Sequence, residues 1–153
     1  MIIYTDIING NEQVSKAFIV REDDLFYVAK GSMIVPDVED PNEETEKVID
    51  IPYKQGLELV DLDKTTFSLA LKNIMKTIAK KKLASGMPKD EVKVWQGKAS
   101  VWANNFLKEY DEWQFYVHAS VEDYTSCFFS LCKWEEGVPM FYFFKDALKE
   151  TKV

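Results

Sequence analysis

The apolar pattern of this chain changes period twice, and no other feature restricts the possible folds as strongly. Phe67, Leu71, Ile74, Met75 and Ile78 recur at the three-and-four spacing of a helix face, and Val92, Trp95, Ala99, Trp102, Phe106 and Tyr110 repeat that pattern. Asp63 is placed to cap the first helix. Leu62 before it and Phe67 within it stand where a hydrophobic staple would form. Lys80, Lys81 and Lys82 suit a helix C-terminus, Gly86 ends the helix, and Pro88 opens the next at its first-turn position. So short a link predicts an antiparallel helical hairpin over residues 63–111.

The flanks read as β. Met1–Ile8 predicts a strand stopped by the turn Asn9-Gly10-Asn11, and Ala17–Val20 and Leu25–Ala29 predict two more around Glu22-Asp23-Asp24. Gly31–Val35 extends that sheet. Residues 36–47 hold two prolines and six carboxylates and predict a flexible acidic loop. Val48–Tyr53 returns to strand, with Pro52 pointing to an edge or a bulge. After the helices, Trp113–Val117, Cys127–Trp134 and Met140–Phe144 are dense in strand formers, and Glu135-Glu136-Gly137 is a turn. The first and last segments are both β, which predicts one shared core sheet. Phe141-Tyr142-Phe143-Phe144 has no polar position, so both faces of that strand are expected to be covered. The result is a single α+β domain over residues 1–153, mostly β, with the helical hairpin inserted.

Composition excludes several functions. With 153 residues, a chain can bury roughly 70% of its unfolded surface and needs neither a disulfide nor a metal to fold. A net charge of −7 argues against nucleic acid as the main partner, since phosphate neutralisation needs surplus Lys and Arg. Cys127 and Cys132 read as small apolar fillers in a reducing compartment. No apolar run is long enough to span a bilayer, and the N-terminus lacks the basic region of a signal peptide. A cytoplasmic, monomeric protein is expected.

No catalytic constellation stands out. His118, the single histidine, follows an aromatic run without a nucleophile motif nearby, and two cysteines cannot supply a four-ligand zinc site. The acidic loop reads as a solvated linker, with Asp37, Glu39, Asp40 and Glu43 as candidates for weak calcium binding; it lacks the mid-loop glycine and spaced ladder of an EF-hand. Lys76, Lys80, Lys81 and Lys82 read either as a solvated helix end matched to its dipole or as a dock for an acidic partner such as a tubulin tail.

Six stretches, in order, resemble the translationally controlled tumour protein family. These are MIIYTDIINGNE, VIDIPYKQGL, LDKTTF with IMKTIAKKKL, MPKDEVKVW, WQFYV, and EEGVPMFYFFKDAL. The chain departs from the family in a shortened flexible loop, in His118-Ala119 where a Gly-Glu pair is usual, and in Ala147 where the family has glycine. The resemblance implies a β-tent core, shared with small chaperones of nucleotide-free Rab GTPases, carrying a helical hairpin. It implies a non-catalytic regulator in growth and survival control that binds a small GTPase of the Rheb or Rab type, acting as an exchange factor or a chaperone of its nucleotide-free state. It also implies weak calcium binding, microtubule association and no other cofactor. On this resemblance Glu12 is the leading GTPase-binding residue, with Asp6, Asp50, Lys145 and Asp146 beside it. From the residues alone Glu12 reads equally as a solvated turn carboxylate.

Overall fold

The computed structural model describes residues 1–42 and 44–153. In chain order the strands and helices are β1 (Ile2–Asp6), β2 (Glu12–Ser15), β3 (Ile19–Glu22), β4 (Phe26–Lys30), β5 (Met33–Ile34), β6 (Val48–Ile49), α1 (Asp50–Gln55), β7 (Leu57–Val60), α2 (Lys64–Ala84), α3 (Lys89–Lys108), β8 (Gln114–His118), β9 (Ser130–Glu135), β10 (Val138–Phe144) and β11 (Leu148–Lys152). Among the described residues no helix is long and apolar enough to cross a membrane.

The inserted hairpin forms as its period requires. The Asp63 carboxylate accepts from the Thr66 N–H at 2.7 Å, and the same hydrogen bonds hold its carboxyl below the usual carboxylate range. Leu62 and Phe67 are both buried beside the cap, and the Tyr110 hydroxyl donates to the Leu62 carbonyl, tying the two ends of the hairpin together. Gly86 follows the C-cap with φ +94°, a conformation that costs glycine nothing. Pro88 sits at the N-cap of α3 and not, as expected, inside its first turn. Its φ of −58° still feeds the helix, and the residue is simply one position earlier.

A six-stranded antiparallel sheet in the order β3-β4-β10-β9-β8-β7 forms the centre. One face packs on the helices: Trp102 of α3 lies 5.1 Å from Phe26 and 5.4 Å from Phe144 between ring centroids. The other face meets a three-stranded sheet, β11-β1-β2, where Tyr4 stacks on Tyr27 at 4.8 Å. Phe141, Phe143 and Phe144 are buried between these layers, as a strand without polar positions requires. The β9–β10 turn places Glu136 and Gly137 both at positive φ, 51° and 78°, the two-residue turn that matches strand twist. Both cysteines are free and buried, and desolvation pushes each thiol up to about 12.

Several expectations are corrected. The termini do share a sheet, but not the one containing Phe141–Phe144. β1 pairs with β11, the charged tail LKETK, while β10 lies in the central sheet. β11 buries one side chain, Leu148, and is otherwise held by its backbone, the Thr5–Thr151 hydroxyl contact and the Lys16–Glu150 ion pair, so its sequence lacks a strand pattern. Val48–Tyr53 is not a strand. It divides into β6 and α1, because Pro52 falls in the first helical turn, where its missing N–H costs nothing, and Gly56 at φ +71° supplies the stop. Ala17–Val20 begins as a 3₁₀ turn over Lys16–Phe18 and becomes strand only at Ile19. Residues near Gly31–Val35 leave the main sheet, and β5 pairs with β6 in a separate ribbon. Cys127–Phe129 are buried but precede the strand, which starts at Ser130. β2 and β7 are too short to show a period and were not anticipated.

Candidate functional site

Asp6 and Glu12 belong to the same stretch of sequence and have opposite fates. Asp6 is fully buried. Its Oδ1 accepts from the Ile8 N–H at 3.0 Å, the Asn9 N–H and the Gly10 N–H at 3.2 Å. Its Oδ2 accepts from the Asn11 N–H at 3.1 Å and from the Gln13 side-chain amide at 2.9 Å. The carboxylate therefore organises the Asn9-Gly10-Asn11 turn from inside, and Gly10 closes it at φ +79°. Asp6 is a scaffold residue with no oxygen free for a partner. Glu12 follows this turn as the first residue of β2, an edge strand, and its side chain is exposed. The nearby turn thus holds its backbone on a braced frame.

A second loop, residues 119–129, docks on the same turn. The Phe128 N–H donates to Asn9 Oδ1 at 3.0 Å, and the Ser120 hydroxyl lies 3.3 Å from Asn11 Oδ1. His118 Nδ1 accepts from the Ser120 N–H at 3.2 Å, which explains the histidine as a strand-end anchor. Asn9, Asn11, Ser120, Glu122, Asp123 and Ser126 line a shallow polar depression of about 300 Å³. Hydrogen bonds from Thr125 hold the Asp123 carboxyl below the usual range, so it stays ionised to lower pH. Sequence reasoning passed over this loop, although Asp123-Tyr124-Thr125 has the composition of a turn capped by its own aspartate.

The remaining GTPase-binding candidates divide. Asp50 is buried; it accepts from the Ser32 N–H at 2.9 Å and the Ser32 hydroxyl at 3.0 Å, fastening the ribbon to α1. It is structural, like Asp6, although α1 packs against β2, the strand that Glu12 begins. Lys145 pairs with Glu22 at 3.5 Å, and Asp146 pairs with Lys82 of α2 at 3.3 Å. Their turn adjoins Asp6, since the Ile7 N–H donates to the Ala147 carbonyl at 2.9 Å. Glu12, Lys145 and Asp146 therefore border one end of the three-stranded sheet, and Glu12 is the one with an exposed, unpaired carboxylate among the described residues.

The lysine cluster also divides. Lys82 is packed, with its ammonium 5.3 Å from the Trp95 ring centroid and paired with Asp146. Lys76, Lys80 and Lys81 are exposed. They are part of a wider asymmetry. From Lys64 to Lys108 ten lysines stand against two carboxylates, a net +8, while the rest of the chain has nine basic and twenty-four acidic residues, a net −15. In the acidic loop Asp37, Glu39 and Asp40 are exposed, and Glu43 lies outside the described residues. Among the described residues no three His, Cys, Asp or Glu side chains converge as metal ligands would.

Fold and site together define an α+β domain, mostly β, whose helical hairpin covers one sheet face and whose notable groups are exposed charges on rigid elements. The family model described as translationally controlled tumour protein matches residues 1–149, and the chain belongs to that family. It is 29% identical to a translationally controlled tumour protein homologue of Mycosarcoma maydis over the whole of both chains. It is also 29% identical to the Schizosaccharomyces pombe homologue over 99% of each. Among solved structures, that of the Schizosaccharomyces pombe translationally controlled tumour-associated protein superposes over the whole of both chains with a TM-score of 0.81 and 26% identity. The Caenorhabditis elegans protein superposes with a TM-score of 0.77 over all of this chain and 99% of its own, a likeness of fold.

Proposed function

We propose that this chain binds a small GTPase of the Rheb or Rab type through the surface around Glu12 and favours the nucleotide-free state of that partner. The observation that supports this reading is the exposed carboxylate of Glu12 on an edge strand braced by the Asp6 turn. Such a group needs no covalent chemistry. A carboxylate presented to the partner's phosphate-binding lysine competes with the nucleotide phosphates. Whatever factor nucleotide loses in affinity when this chain binds, this chain loses when nucleotide binds. Glu12→Ala is expected to raise the dissociation constant for a nucleotide-free Rheb-type GTPase by about tenfold, roughly 1.4 kcal/mol, with the melting temperature unchanged. Calorimetric titration measures it, and an unaltered constant removes Glu12 from the site.

The charge asymmetry favours a second reading, association of the hairpin with an acidic surface such as the tails of tubulin. Reversing the exposed Lys76, Lys80 and Lys81 to glutamate is then expected to abolish co-sedimentation with microtubules. Wild-type binding should weaken steeply with added salt, because exposed charges are screened within about 10 Å at 0.1 M ionic strength. Co-sedimentation that survives both changes would rule this reading out.

A further inference from the structure

The hairpin carries an open groove that neither reading uses. Along α3 the groove is lined by the small residues Ala99, Ser100 and Ala103, between Trp95 and Gln96 on one side and Leu107 on the other. The space left between the helices is about 400 Å³, within the range of binding clefts. Its floor is Phe67, Trp95 and Ala99, all buried, and its half-buried walls include Leu71, Met75 and Leu107. Ser68, Lys72, Gln96 and Ser100 form an exposed rim.

The charged residue that lines the groove is a lysine, and further lysines stand beside it. Lys72 lines it, and Lys76 stands one turn further along the same side of α2. On α3, Lys89 and Lys93 precede the rim residue Gln96 at helical spacing. None of these four lysines is in an ion pair among the described residues. The two carboxylates between Lys64 and Lys108, Asp90 and Glu91, sit in the first turn of α3, where they complement the helix dipole. A surface helix pair on an acidic protein would ordinarily mix its charges. Here an apolar floor is framed by cations.

We infer that the α2–α3 groove is a docking site for an acidic amphipathic helix of a partner protein, which buries its apolar stripe between the helices and sets its carboxylates against Lys72, Lys76, Lys89 and Lys93. Both halves of the surface are needed: the charges steer and select, and the floor supplies the affinity. A tubulin-like acidic tail has no apolar stripe and would not use the floor. The inference does not depend on Glu12 or its partner.

The probe is a fluorescein-labelled synthetic peptide with leucine at helical spacing on one face and glutamate on the other. Controls are its sequence-scrambled form and a version with lysine in place of glutamate. The ordered acidic peptide is expected to bind at least about tenfold more tightly than either control, a gap of roughly 1.4 kcal/mol or more. Ser100→Trp, at an exposed rim position, fills the groove without disturbing the core and should weaken binding by about tenfold. Lys72→Glu with Lys76→Glu leaves the groove open and should weaken it by a similar factor. Circular dichroism checks that each variant is folded. Equal binding of ordered and scrambled peptides, or affinity untouched by Ser100→Trp, would overturn the inference. So would self-association of the free chain that Ser100→Trp abolishes, which would assign the groove to a second copy.

Discussion

Asp6→Ala is expected to destabilise the chain by about 3–5 kcal/mol, the cost of stripping a buried charged hub from its partners. Four backbone N–H groups and the Gln13 amide point at this carboxylate, and alanine leaves an acceptor only for the Gly10 N–H, which also donates to the Asp6 backbone carbonyl. Gln13 is itself buried, with its Oε1 unpartnered among the described residues, so the loss leaves a whole buried amide without partners. Set against a total stability of about 5–15 kcal/mol, the effect is large. Denaturant unfolding measures it as a lower midpoint at unchanged slope. Amide exchange at Asn9, Gly10 and Asn11 should quicken even where global stability survives. Asp6→Asn keeps the shape but turns an amide donor toward other donors, so it should fall between the two. A loss below about 1 kcal/mol for alanine, a single ordinary hydrogen bond, would mean that the backbone holds the turn by itself. The variant also separates scaffold from contact: Asp6→Ala should weaken GTPase binding only along with the turn, and Glu12→Ala without touching it.

Phe67→Ala is the second large effect. The ring is buried, with centroids 5.1 Å from Phe106, 5.4 Å from Phe129, 5.5 Å from Tyr110 and 5.7 Å from Phe115. It joins α2 to α3 and both to the central sheet. Truncating a buried phenylalanine costs about 3–5 kcal/mol, through lost transfer energy and the cavity left behind. In a chain of this size that corresponds to a fall in melting temperature of about 6–20 °C. Because Phe67 is also floor to the α2–α3 groove, Phe67→Leu is the informative companion: it should regain most of the stability. A thermal scan showing less than about 3 °C of loss for alanine would mean that the neighbouring rings collapse into the space.

The helices were legible because their signals are local. Asp63, three residues before the amide it caps, Gly86 at positive φ and the apolar stripe of α2 each act through neighbours no more than one or two turns away. The β9–β10 turn was legible for the same reason. The short strands were not, since two or four residues cannot display a period, and α1 was hidden by a proline that is equally at home on a sheet edge or in a first helical turn. In the site, Asp6, Glu12 and Asp50 look alike as letters. What separates them is whether a turn or a neighbouring loop folds its donors around the carboxylate, and those donors include Ser32, eighteen residues before Asp50.

The sequence by itself determined an α+β domain with an inserted antiparallel hairpin, a strand covered on both faces at Phe141–Phe144, and membership of a family. The first two follow from periodicity, caps and composition, which each segment holds whatever surrounds it, and the third from six stretches that resemble the family in order. Tertiary structure alone decided that the charged tail pairs with β1, that Asp6 and Asp50 are spent inside while Glu12 is left outside, and that Lys82 is claimed by Asp146 while the lysines around Gln96 and Lys72 frame an open apolar groove. The physical reason is that burial and pairing depend on which distant segment arrives to cover a residue, and the energy of that meeting is absent from either segment alone.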